Sequence, residues 1–189
     1  YIKFGQALST RPDILGKKTC DELKILQGKL KPFPNSIARK IIQKENEDFL
    51  KKNLASFDEN PIASASVAQV HTGILKNGRK VAIKILKPNI QKQLSRDFTF
   101  FYWITKFFEF CIPSIKRLKL SKNVEVLSEV SLNELDLTLE ASAADELAEN
   151  FKNHQNYKVP KIYWEFTTKN MLVIEFIEGI RIDDLESLN

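Results

Sequence analysis

The stretch VAQVHTGILKNGRKVAIKIL, residues 67–86, constrains the fold most, because two β-rich runs meet at Lys76-Asn77-Gly78. Asn-Gly between such runs is among the strongest short signals for a β-hairpin, since both residues tolerate the positive φ that a tight turn demands. An antiparallel sheet is therefore expected, and the rest of the chain must pack around it.

The flanking segments read differently. Residues 1–57 read as a helical extension, with Cys20, Leu23, Leu26 and Leu30, then Ile37, Ile41 and Ile42, at helical spacing. Pro32 and Pro34 break the two runs, and Asn35 or Ser36 can cap the second. Residues 58–189 read as a lobe built on the hairpin, with a helical insert at about 89–120. Residues 123–152 are expected to form one long helix, with Leu135, Leu139, Ala143 and Leu147 along its apolar face. VPKIYWEF and NMLVIEFIEG then read as two strands separated by residues 167–170. Strands, a long helix and more strands give an α+β architecture.

Composition narrows the function classes. The 189 residues are 43% hydrophobic and 28% charged, which suits a packed domain and not a disordered chain. The formal charge is +5 and spread along the chain; that permits an anionic partner such as a nucleotide or a membrane surface, and no nucleic-acid partner is expected. Cys20 and Cys111 fit no metal-ligand spacing and should stay reduced, and with only two histidines a zinc site is not expected. Tyr1-Ile2-Lys3 opens no signal peptide, and a chain starting at Tyr looks like a piece of a longer one. The aromatic run FTFFYWITKFFEFCI, residues 98–112, is shorter than the roughly 20 apolar residues of a membrane span and contains Lys106 and Glu109. A buried insert helix is expected there, with docking onto a membrane or partner as the sharper alternative.

Three groups of residues carry chemistry. Lys84, flanked by Val81, Ala82 and Ile83, places an ammonium on an apolar strand; it is either an exposed edge-strand lysine or a phosphate ligand of the protein-kinase type. Glu134, Asp136 and Glu140 lie in the predicted long helix, with Asp136 and Glu140 one turn apart and Glu134 about 120° around from Glu140. They are either a solvated acidic stripe or partners for a lysine and a cation. IKFGQALSTRPD, residues 2–13, gathers the donors Lys3, Gln6 and Arg11.

Together these residues resemble the UbiB family of atypical kinases, the ABC-one-like or ADCK group associated with ubiquinone biosynthesis. Lys3-Phe4-Gly5-Gln6 is similar to its KxGQ signature, and ALSTRPD follows as in that family. Ala63-Ser64-Ala65-Ser66, with Gln69-Val70-His71, resembles its alanine-rich nucleotide loop; Lys84 resembles its VAIK lysine, Glu134-Leu135-Asp136 its ExD motif, Glu140 its helix-C glutamate and Glu175-Phe176-Ile177-Glu178-Gly179 its hinge.

The resemblance implies a kinase-like small lobe that binds ATP or ADP with Mg2+. The nucleotide would lie among Ile62, Ala63, Ser64, Ala65, Ser66, Val67, Ala68, Gln69, Val70, Lys84, Glu175 and Ile177, with Lys3, Gln6, Glu134, Asp136 and Glu140 forming regulatory ion pairs. Which of Glu134 and Glu140 pairs with Lys84 stays open, and no metal ligand is assigned to this chain. The catalytic aspartate is expected in a large lobe absent here. The resemblance further implies lipid quinone precursors or ubiquinone-biosynthesis proteins as partners, with peripheral membrane association, at the cytoplasmic face of a bacterial inner membrane or the matrix side of the mitochondrial one. An alternative is a nucleotide-responsive scaffold without turnover. Alanine in place of glycine gives up left-handed backbone conformations, and its methyl groups limit how closely phosphates approach.

Overall fold

The computed structural model describes residues 5–6, 9–10, 12–23 and 31–180. Short helices α1 (Pro12–Leu15) and α2 (Lys17–Leu23) precede α3 (Asn35–Glu45) and a π-helical turn at Phe49–Asn53. The sheet follows as β1 (Leu54–Phe57), β2 (Ala63–Ser64), β3 (Ala68–Leu75) and β4 (Lys80–Leu86). Helices α4 (Ile90–Cys111), α5 (Leu120–Asn133) and α6 (Leu137–Phe151) lead back to β5 (Met171–Glu175). The strand order is β1-β3-β4-β5 with β2 added to β3, and every pairing is antiparallel. The hairpin turns at Gly78, whose φ of 81° suits the residue that lacks a Cβ.

The sheet is covered on both faces, and strand alternation sorts its residues between them. Val81, Ile83 and Ile85 of β4, with Met171 and Val173 of β5, pack with Ala38 and Ile42 of α3 and with Phe49. Leu86 of β4, Leu172 of β5 and Ala68 of β3 pack on the other face with Leu94 and Phe98 of α4, Val124 of α5 and Ala141 of α6. Full burial of Ile42 and Phe49 contributes about 1.5–3 kcal/mol each. The segment before the sheet is thus part of the same folded body.

The α+β class and the hairpin stand as read, but five local expectations change. Strand β1 lies inside residues 1–57, so the sheet begins before residue 58. The helix expected over 123–152 is two, because Asp136 adopts extended backbone (φ −109°, ψ 96°) and its side chain accepts from Thr138 N as the N-cap of α6. With that break the apolar face moves: Leu137 and Ala141 are buried, while Leu139 and Leu147 are exposed. VPKIYWEF is not a strand; it holds one bridge, Ile162 to Ile174, and a 3-10 turn at Trp164–Phe166. The aromatic helix α4 is buried only along Ile90, Leu94 and Phe98.

Candidate functional site

Lys84 sits on the face of β4 that α6 covers, between Val70 of β3 and Leu172 of β5 in the sheet register. Its Nζ lies 2.5 Å from Glu140 Oε2. Glu140 occupies the first turn of α6, where the helix dipole favours a carboxylate. The side chains are 29% and 49% exposed, so the pair contributes only about 0.2–1 kcal/mol to stability. Its effect is to hold an ammonium in place at an open cleft wall. The structure thus pairs Lys84 with Glu140; Glu134, the C-cap of α5, is exposed.

The alanine-rich segment forms a hairpin beside this pair. Ala63 pairs with Val70 and Ser64 with Gln69, Ile62 N donates to Val70 O at 2.8 Å, and Ala65 N donates to Ala68 O at 2.8 Å. Asn89 and Lys119 are the non-glycine positions with positive φ among the described residues. The hairpin therefore never enters the left-handed region, and alanine fits without strain. Ser66 and Val67 donate no backbone hydrogen bond to a described residue, leaving two consecutive amide donors at the turn.

Several residues expected at the site do other work. Gln69 pairs in register with Ile85, and so points to the α3 side of the sheet, away from Lys84. Its Oε1 accepts from Phe33 N at 3.1 Å, and its Nε2 donates to His71 Nε2 at 2.7 Å. His71 Nδ1 in turn donates to Asp58 O at 2.9 Å, which fixes a neutral ring. Burial holds the His71 pKa below its ordinary value. Ser64, opposite Gln69, shares that side, and its Oγ is enclosed without a partner among the described residues.

Glu175 pairs with Val81, again on the α3 side, and its carboxylate receives Lys158 Nζ at 2.7 Å and Lys161 N at 3.3 Å. The lysine first, then the amide, hold its pKa below the usual carboxylate range. Only the main chain of Glu175 remains for the cleft, and Ile177 follows the strand half-buried.

Asp136 is committed to capping. Its Oδ1 accepts from Thr138 Oγ1 at 2.5 Å and from Thr138 N at 3.1 Å, and Oδ2 lies 3.6 Å from Lys169 Nζ. The Thr138 hydroxyl is the main reason its pKa lies below the ordinary value. An Asp two residues before a Thr, opening a run of helix formers, is a legible N-cap signal; the partners Phe33, Asp58 and Lys158 had none, because they come from distant loops.

Gln6 lies in a helical turn, its carbonyl accepting from Ser9 Oγ at 2.6 Å. Lys3 and Arg11 lie outside the described residues. Among the described residues there is no cluster of three or more His, Cys, Asp or Glu that could hold a metal ion, and Glu140 is the carboxylate in contact with Lys84.

Residues 25–189 match the family of ABC1 atypical kinase-like domains. The whole chain is 40% identical to the probable protein kinase UbiB of Cellvibrio japonicus over 189 residues and 40% identical to that of Marinobacter nauticus over 188. A third relative, the UbiB of Vibrio cholerae, is 38% identical over 190 residues. The chain spans about a third of these relatives, 34% in the first case. Among solved structures, Rv3197 from Mycobacterium tuberculosis in complex with erythromycin superposes with a TM-score of 0.66 at 27% identity, over 95% of this chain and 45% of that one.

Proposed function

The chain belongs to the ABC1 atypical kinase-like family, with relatives named as probable protein kinases, and from that premise we propose that it forms one wall of an adenine-nucleotide site. The carrying observation is the Lys84 Nζ to Glu140 Oε2 distance of 2.5 Å beside the alanine hairpin. In this reading Lys84 contacts the α- and β-phosphates of ATP or ADP and Glu140 orients it. The free amides of Ser66 and Val67 suit a phosphate oxygen, while the methyl groups of Ala63 and Ala65 keep phosphates farther off than glycine would. Mg2+ would neutralise phosphate charge, with its protein ligands coming from a second lobe.

That lobe would also supply the catalytic aspartate, and the complete protein would use nucleotide binding or hydrolysis to support lipid quinone biosynthesis at a membrane. The last step rests on the UbiB name of the relatives. A thermal-shift titration of the full-length protein with Mg-ADP and Mg-ATP tests the site. Stabilisation that is lost in Lys84→Ala, and whose ADP-to-ATP preference changes in Ala65→Gly, is expected. Full nucleotide stabilisation in Lys84→Ala would overturn the assignment.

A further inference from the structure

The outer face of α4 has no role in the cleft. At about 100° per residue, Trp103, Phe107 and Phe110 fall within about 60° of one another, opposite the packed Leu94 and Phe98. They are 67%, 63% and 86% exposed. Ile112 and Leu118, just beyond the helix, are also exposed. So continuous an apolar stripe on a helix end calls for a covering surface.

Charge selects what covers it. Residues 98–124 contain Lys106, Lys116, Arg117, Lys119 and Lys122 against one carboxylate, Glu109. Glu109 is turned inward, accepting from Ser121 N at 3.0 Å and Ser121 Oγ at 2.8 Å at the start of α5. Lys122 pairs with Glu125, whereas Lys116, Arg117 and Lys119 are exposed and have no ion-pair partner among the described residues. The tip therefore presents tryptophan, phenylalanines and uncompensated cations together. A second copy would bring like charges into contact, which disfavours self-association. Aromatic rings seat at the headgroup level and lysine and arginine attract anionic lipid.

We propose that this stripe and its basic collar dock onto an anionic lipid surface, with α4 lying in the plane of the interface. No helix among the described residues is long and apolar enough to cross a membrane. The docking is independent of the nucleotide reading.

Cys111 adjoins Phe110 and is exposed, while Cys20 is buried. The test uses the full-length protein with any cysteines outside this chain replaced by serine, and an environment-sensitive fluorophore on Cys111. It is mixed with phosphatidylcholine vesicles, with or without phosphatidylglycerol, carrying headgroup spin-labelled lipid. A probe at this position reports its own depth even if the protein is anchored elsewhere. Blue shift and quenching are expected only with phosphatidylglycerol. Both should fall about tenfold or more in Trp103→Ser/Phe107→Ser and in Lys116→Ser/Arg117→Ser/Lys119→Ser, and should be unchanged in Lys84→Ala. An unquenched label overturns the proposal, as does equal quenching on neutral vesicles. A blue shift already present in buffer overturns it too, since a second copy or the remainder of the protein would then cover the face.

Discussion

Replacing Gln69 by Leu separates a residue that holds the fold from one that holds a ligand. The amide is 0% exposed and makes two hydrogen bonds, accepting from Phe33 N and donating to His71 Nε2. Leucine fills a similar volume but leaves a backbone N–H and a ring nitrogen unpaired. Each such group costs about 1–3 kcal/mol, and the added apolar burial returns about 1.5–3 kcal/mol. A net loss of about 2 kcal/mol, and at most about 4.5 kcal/mol, is expected, read from urea unfolding of the full-length protein at constant m-value. The stabilisation added by Mg-ADP should be unchanged, because Gln69 lies on the opposite face of β3 from Lys84. A stability change below about 0.5 kcal/mol together with tenfold weaker nucleotide binding would refute this placement and return Gln69 to the cleft.

Three further outcomes follow from the same geometry. Burial lowers the His71 pKa below its ordinary 6.5, so the unfolded chain binds the proton first as pH falls; the stability from neutral His71 is complete above about pH 6.5 and lost as pH drops toward the lower folded value. Unfolding free energies of wild type and His71→Gln from pH 7.5 to 5.5 should show the variant losing that slope. Gly73→Ala should destabilise by about 1–3 kcal/mol in the same urea assay, because the new Cβ would sit 2.9 Å from Leu54 Cδ1 and 3.1 Å from the backbone Ser56 O; a variant as stable as wild type would deny the close packing of β1 on β3. Asp136→Ala should cost about 0.5–2 kcal/mol through the lost cap of α6, with Asp136→Asn retaining most of it, and an effect confined to nucleotide binding would contradict the capping role.

The sequence was most legible where local chemistry and the fold agree. Asn77-Gly78 and the flanking β-branched runs announced the hairpin, and Lys84 was visible as the one charge within the apolar run 81–86. Pairing across space was not legible: Glu134 and Glu140 look alike in sequence, and only the break at Asp136, which reorients α6, brings Glu140 to the lysine. The strand Leu54–Phe57 escaped notice because four residues after a helical run carry too short a period to read. The aromatic run misled in another way, since hydrophobicity says that a residue prefers burial but not which surface supplies it.

The alternation of β4 links these points. Odd-numbered Val81, Ile83 and Ile85 enter the α3 core and even-numbered Lys84 faces α6, so a slip of one residue against β3 would drive an ammonium among the apolar side chains of Ile42, Phe49 and Val173. Gln69 and His71 add a second lock on the same register: they face α3, and their hydrogen bonds close only if Phe33 and Asp58 are opposite them. An unpaired buried charge and unpaired buried amides each oppose the slipped sheet, and both penalties exceed the 0.2–1 kcal/mol that the exposed Lys84–Glu140 pair returns. The position of Lys84 in the cleft is therefore set from the far side of the sheet, by polar groups under the helical extension, rather than by its own ion pair.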